Sequence, residues 1–315
     1  MENELTITKA ATLMDRNEND VTISKVVGPY GGPALVYQCK LNVDWDGSAK
    51  GYGVDKPGSA IQKNLTGNAH EVGLANAKHK KTHEWVGVFS ATEAEAKWAL
   101  RNDPRYGITE KERLSHLEDF IDHRFPDRNK RFPVVQILDD DPAKGFYVSQ
   151  ALAYADRSKK SWDQRKYLDA ALVPYQALST GMENLGARLH DYGLIIRGST
   201  GQATPFFYGD HAGKGSYKVG ECSGYVWTTL GKREDEQHTF IVFPGSGSGI
   251  PDFQVPTFMD ANVKFRINSL SQAPNSDSLI RFLVTHRATA TSSPLTAPQN
   301  AEYTMFQSAL KSWGW

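Results

Sequence analysis

The sequence predicts a mainly β protein built around a barrel, and three observations lead there. Short runs rich in β-branched and aromatic residues recur between Gly, Pro and Asp turn signals. They do not alternate with helices in the manner that a parallel doubly wound sheet requires. Helical texture is confined to an inserted stretch at about 90–127 and to the region beyond 255.

The elements follow in order. Leu5 to Val27 separates β-branched clusters by polar turns and reads as one or two edge strands or a short appendage, with residues 1–25 outside the main domain of 26–250. Tyr30-Gly-Gly-Pro33 is a turn, Ala34 to Val43 alternates as a strand, and Val86 to Phe89 reads as another. Ser90-Ala-Thr-Glu93 and Thr109-Glu-Lys-Glu112 are capping-box patterns. Leu114, Leu117, Ile121 and Phe125 then fall at helical spacing, so 90–127 is expected as two helices. Their apolar stripe must be covered, either by the barrel wall or at the border of a substrate groove. Pro133 to Leu138 and Gly145 to Ser149 resume the strand pattern around an Asp139-Asp-Asp-Pro142 turn. Leu185 to Leu189, Leu194 to Arg197, Pro205 to Tyr208 and 239–243 are further strands, with a helix over Gly224 to Leu230. Residues 251–315 form a helical extension, in which Ser276-Asp277 caps Leu279 to His286 and Glu302 to Trp313 is a terminal helix.

Composition narrows the function. The 315 residues carry 36 Lys+Arg and 36 Asp+Glu, a formal net charge of zero. No global field draws the chain to nucleic acid or to a membrane surface, and no apolar run approaches transmembrane length. The two cysteines, Cys39 and Cys222, are too few for a disulfide framework. Met1 to Asp20 lacks the cationic start and apolar core of a secretory signal. The expectation is synthesis in the cytoplasm, with any action outside the cell needing an export route without a cleavable signal.

The chemistry concentrates in Phe206-Phe-Tyr-Gly-Asp-His-Ala-Gly-Lys-Gly-Ser-Tyr-Lys-Val-Gly-Glu221. An aromatic strand, Phe206 to Tyr208, delivers Asp210 at its end. A glycine-punctuated loop follows, and Glu221 stands where a helix is about to open. Two carboxylates flanking a turn are the minimum for glycoside hydrolysis, one protonating the leaving oxygen and the other activating water. The bland alternative is a solvated turn followed by an acidic helix start. The aromatic strand and glycine-rich loop favour a site.

That segment resembles the core motif of the fungal-type chitosanases of glycoside hydrolase family 75. Leu41-Asn-Val-Asp-Trp-Asp-Gly47 with Tyr52 and Pro57-Gly58, Tyr167-Leu-Asp-Ala-Ala-Leu-Val-Pro-Tyr175, and Thr239-Phe-Ile-Val-Phe-Pro-Gly-Ser-Gly247 resemble other segments of the same family in the same order. Together they cover roughly residues 40 to 250 apart from the insertion. The loop before Glu221 is longer than the family's, Cys222 follows the glutamate, and 89–132 has no counterpart. The resemblance implies a six-stranded double-psi-type β-barrel with inserted and C-terminal helices. It also implies an endo-acting, inverting hydrolase with Asp210 as base and Glu221 as acid, although the roles are interchangeable in the sequence. No cofactor and no metal are called for. Substrate-facing residues are expected at Asp44, Asp46, Tyr52, Tyr208 and Tyr217, with Trp45 and Trp162 as further stacking candidates. An Asx-turn pair remains the alternative for Asp44 and Asp46.

The polymer is less settled. Chitosan is a polycation and asks for an acidic site, which Asp44, Asp46 and Asp139 to Asp141 supply. Lys214 and Lys218 lie inside the catalytic loop and suit anionic peptidoglycan better. Three readings therefore stand: a chitosanase, a peptidoglycan hydrolase acting as an antibacterial effector with an immunity or export partner, and a glycan-binding barrel without turnover. Other chemistries fit worse. His79 and His83 share a helical face but lack an accompanying acid and sit among lysines. Gly245-Ser-Gly-Ser-Gly249 superficially resembles a phosphate loop, yet Pro251 follows where a helix should begin, so a flexible strand-exit turn is expected. Asp44 and Asp46 lack the closing glutamate of a calcium loop, and Cys222 beside His211 is expected as a buried cysteine rather than a nucleophile.

Overall fold

The computed structural model describes residues 6–28, 31–51, 90–92, 131–133, 163–213 and 215–272, scattered positions between 136 and 159, and Thr304. The chain divides into two compact units, Met1–Asp44 with Leu172–Trp315, and Trp45–Ala171.

The first unit is mainly β and is organised by one curled, mixed sheet of nine strands. Its strands are β1 (Thr6–Met14), β2 (Asp20–Gly28), β3 (Gly31–Lys40), β4 (Asn42–Asp44), β7 (Tyr175–Leu178), β8 (Tyr192–Arg197), β9 (Ala203–His211), β10 (Glu221–Ser223) and β11 (Gln237–Val242). They lie in the order β1-β2-β3-β11-β8-β9-β7-β10-β4. The N-terminal stretch, expected as edge strands or an appendage, thus supplies β1 and β2, with β1 at the sheet edge. The strand expected over 34–43 is interrupted at Leu41, a fully buried residue. On its N-terminal side β3 pairs antiparallel with β2 and β11; past Leu41, β4 pairs in parallel with β10 at the opposite end of the order. One residue cannot span a flat nine-stranded sheet, so the sheet must curl.

Aromatic packing fills the concavity. Tyr37 on β3 stacks on Phe240 of β11, with ring centroids 4.7 Å apart and planes within 3°. Both sit at directly opposed positions of the antiparallel pair, where cross-strand side chains meet. Phe206 of β9 lies opposite Gly193 of β8; a Cβ at Gly193 would stand 2.6 Å from the Phe206 ring. The glycine is there because the ring occupies that space.

Three helices belong to this unit among the described residues: α1 (Thr180–Asn184), α2 (Gly224–Thr229) and α3 (Val255–Gln272). α2 and α3 fall where the sequence predicts helix. The strand expected over Leu185 to Leu189 is instead the turn that ends α1. Ser179 caps that helix through Met182 N, and Gly186, at φ +99°, lets the chain reverse. Of the helices expected after 273 only Thr304 is among the described residues, and it is helical. No described helix is long and apolar enough to cross a membrane.

The Gly245–Gly249 turn is anchored rather than loose. The buried Asp191 carboxylate accepts from Gly245 N at 2.9 Å, Gly247 N at 3.0 Å and Arg188 N at 2.8 Å. Burial raises its pKa above the usual carboxylate value, and these three donors partly offset that. A Cβ at Gly247 would meet the His190 carbonyl at 2.3 Å, which accounts for the glycine there.

The second unit contains β5 (Ser90–Thr92), paired antiparallel with β6 (Arg131–Pro133). Ser90-Ala-Thr is therefore a strand and not the first turn of a helix. The remainder of the expected helical pair, 93–127, lies outside the described residues, as do Val86 to Phe89, His79 and His83. Gln136 is not part of a strand and the rest of 134–138 lies outside the described residues; in Gly145 to Ser149, Phe146 forms an isolated bridge while Val148 and Ser149 are not in a strand. A buried glutamine organises the described part. Gln164 donates from Nε2 to the carbonyls of Gly47 at 2.7 Å and Ser149 at 2.9 Å, and its Oε1 accepts from Ser149 N at 2.8 Å.

His238 makes the first unit sensitive to acid. It is fully buried on β11, opposite Cys39 on β3 and Arg197 on β8. Its Nδ1 sits 3.0 Å from the Glu236 carbonyl oxygen, which fixes the proton there, while Nε2 has no partner. Burial pushes its pKa down to about 4, from 6.5 in the open chain. A folded-state pKa below the unfolded one means stability is complete above 6.5 and falls as pH drops toward 4, by on the order of 3 kcal/mol. Urea unfolding from pH 7.5 to 4.5 should show that loss in the wild-type chain and a smaller one in His238→Leu. Parallel curves for the two proteins would contradict a neutral buried imidazole.

Candidate active site

The sheet brings the two predicted acids together through a bulge. In the parallel pair β7/β9, Gln176 lies opposite Tyr208, yet the next residue, Ala177, lies opposite Asp210. Gly209 is the extra residue. In a regular ladder with no bulge Asp210 would stand one position further along, opposite Leu178. On the other side of β7, Cys222 of β10 is opposite Gln176 in an antiparallel pair, which sets Glu221 opposite Ala177. Asp210 and Glu221 therefore occupy one row across the sheet, flanking Ala177. Directly opposed residues project to the same face. Two strand spacings separate their backbones, about 9.5 Å.

Asp210 is 7% exposed, and its Oδ1 accepts from His211 N at 2.8 Å. A carboxylate oxygen of Asp44, at the end of β4, lies within 4.8 Å of one of Asp210. Asp44 is also buried and accepts from the Tyr175 hydroxyl at 3.1 Å. Tyr175 is held in turn by Ser223 Oγ, which accepts from Tyr175 N at 3.1 Å and donates to Val173 O at 2.7 Å. Val173 and Tyr175 belong to the Val-Pro-Tyr stretch, whose local pattern gives Tyr175 no role of its own.

Glu221 is half-buried on β10, not at a helix start; the helix begins three residues later at Gly224. The parallel register sets Glu221 opposite Asn42 of β4, and Asn42 Nδ2 donates to Glu221 Oε1 at 3.4 Å. The Arg16 guanidinium donates to Asn42 Oδ1 at 2.9 Å and to Glu234 Oε2 at 2.9 Å. Asn42 and Arg16 carry no motif of their own, and only strand pairing reveals them. Gly220 fixes the approach to Glu221. Its carbonyl accepts from Asn42 N at 2.8 Å, its φ is +93°, and an added Cβ would meet Cys39 Sγ and the Lys40 carbonyl oxygen, each at 2.6 Å.

The other expected residues divide. Tyr208 does not face a sugar. It is fully buried, its ring meets Phe206 edge-on at 5.8 Å, and burial holds its phenol well above the ordinary range. Its hydroxyl stands beside that of Tyr37 without a hydrogen bond of good geometry, while Gln176 Nε2 donates to the Tyr37 hydroxyl. The inward row that holds Gln176 and Cys222 claims Tyr208 as well. Tyr217 is 48% exposed and stays available to a ligand. Tyr52, Trp162, Asp139 and Lys214 lie outside the described residues. Within the second unit, Trp45 is buried and Asp46 Oδ1 accepts from Ser149 Oγ at 3.3 Å. The adjoining Gly47 has φ +83°, and an added Cβ would collide with the Leu168 carbonyl. Cys222 is fully buried, burial pushes its thiol pKa far up, and its Sγ lies 3.6 Å from the Gly220 carbonyl oxygen. Such a thiol is not a nucleophile.

Comparison of the chain with protein-family models and with curated proteins found no match.

Gly220 yields a direct test of this geometry. Gly220→Ala forces a side chain into left-handed backbone against a carbonyl, and should cost about 2 kcal/mol or more in urea unfolding. An alanine variant as stable as the parent would contradict the close approach of Gly220 to Lys40.

Proposed function

We propose that this protein is an endo-acting, inverting hydrolase of β-1,4 linkages in an amino-sugar polysaccharide, with chitosan as substrate. The observation that carries the reading is the row Asp210–Ala177–Glu221. Inverting glycosidases hold their carboxyl groups about 6.5–9.5 Å apart so that a water fits beside the anomeric carbon. Two acids on alternate strands, facing one way, suit that requirement, whereas acids on adjacent strands would suit a retaining enzyme.

In this mechanism Asp210 draws the proton from water while Glu221 delivers one to the leaving glycosidic oxygen. The His211 N–H donates to Asp210 Oδ1 and orients that carboxyl. Tyr217 offers an exposed ring for stacking. The barrel expected from the family resemblance is part of the same reading. Taking β3 and β4 as one bent strand, the circuit through β11, β8, β9, β7 and β10 has six members. Chitosan is preferred over peptidoglycan because Lys218, one of the two loop lysines that favoured an anionic polymer, is ion-paired to Glu18 at 3.6 Å. The acids Asp44, Asp210 and Glu221 gather in the same unit, as a cationic substrate asks.

Product analysis on chitosan and on purified cell wall, run side by side, tests this. Chitosan oligomers with inverted anomeric configuration are expected. Release of muropeptides alone would establish the antibacterial reading, and binding without product would leave a glycan-binding barrel. Asp210→Asn and Glu221→Gln should each lower turnover about a hundredfold or more with little change in melting temperature. Near-normal activity in both variants would refute the assignment.

A further inference from the structure

The contacts around Glu221 contain a device that the hydrolase reading does not require. A guanidinium can only donate hydrogen bonds. The atom of Asn42 that meets Arg16 at 2.9 Å is therefore its carbonyl oxygen, and the amide nitrogen is turned toward Glu221. The usual ambiguity of an asparagine amide is removed by its neighbour. Arg16 is held in turn by Glu234, so a chain of three side chains ends on one oxygen of Glu221. The three come from the turn after β1, from β4 and from the segment before β11.

We propose that Asn42 is a positioning residue for Glu221, locked in one amide flip by Arg16, so that Oε1 is engaged and the proton of the acid form resides on Oε2. This rests on the reading of Glu221 as the general acid. An acid whose two oxygens were equally free would present its proton to the leaving group only part of the time. An N–H donor on Oε1 takes that oxygen out of contention. Asn42 achieves this without adding charge, and the Arg16 charge is spent on Glu234 and on the amide oxygen. Asn42 of β4 donates to Glu221 directly, with the Arg16–Glu234 pair behind it; Cys222 adjoins Glu221 on β10, Asp44 lies two residues beyond Asn42 on β4, and Ala177 is opposite on β7.

The test reads Glu221 itself and does not depend on knowing the glycan. With 13C-labelled glutamate, the Glu221 carboxyl is assigned by its loss in Glu221→Gln and titrated in the wild-type chain, Asn42→Ala, Asn42→Asp and Arg16→Met. Losing the donor disfavours the ionised form, so Asn42→Ala should raise the Glu221 midpoint by about half a pH unit. Asn42→Asp should raise it further, and Arg16→Met should shift it the same way by less. On chitosan, Asn42→Ala should lower kcat roughly tenfold with KM nearly unchanged. If the Asn42 variants fail to fold, the partly exposed Arg16→Met decides. A Glu221 midpoint unmoved in every folded variant overturns the proposal. Shifted midpoints in a protein that cleaves no glycan would leave Asn42 as the orienting partner of Glu221 and would refute the hydrolase reading instead.

Discussion

Leu41 is the hinge on which the first unit turns. On one side of it the chain belongs to β3, in the middle of the strand order; on the other it belongs to β4, at the far end. The strands between must bend until β10 meets the residues just past Leu41. The backbone bond from Asn42 N to Gly220 O and the three-residue parallel ladder of β4 and β10 record that meeting. A flat sheet would leave Leu41 exposed and β10 without its second neighbour; the curl buries the leucine completely and gives β10 that neighbour.

The candidate site inherits its geometry from that curl. Asp44 reaches within 4.8 Å of Asp210 although two strands, β7 and β10, stand between β4 and β9 in the order. Asn42 meets Glu221 because β4, which carries Asp44 as well, lies along β10. Gly220 permits the contact by having no side chain where Cys39 and Lys40 pass. These residues are far apart along the chain, and what unites them is the return of the sheet to β4.

Burial settles the aromatic residues. Tyr37, Phe206, Tyr208 and Phe240 fill the concave side, and each large ring removes apolar surface from water on the scale of a few kcal/mol. Gln176 shares that interior by donating to the Tyr37 hydroxyl. The row one residue along, with Ala177 at its centre, is left to the acids. The candidate site and the core thus occupy successive residues of one strand, and the bulge at Gly209 sets Asp210 in the row of Ala177.

Much of this protein was legible in the sequence. The β-rich class, β8, β9 and β11, the helix after Ser223 and the helix beyond 255 follow from local patterns of branching, aromaticity and turn residues, which act over a few positions. The two acids stood out because an aromatic strand and a glycine loop bracket them. Other features were not legible. The break at Leu41 looks like continuous strand, since alternation is unchanged by a change of partner. Leu185 to Leu189 has strand composition, but Gly186 adopts a left-handed backbone that ends α1. Tyr208 reads as a surface aromatic, and only the fold assigns it to the interior. Asn42, Arg16 and Tyr175 have ordinary neighbours in sequence and acquire partners only across strands. Local sequence pattern reveals most of the β segments and the two acids of the candidate site. The tertiary structure alone decided which strands pair and which face each side chain takes, because register, bulge and curl are set by contacts between residues distant along the chain.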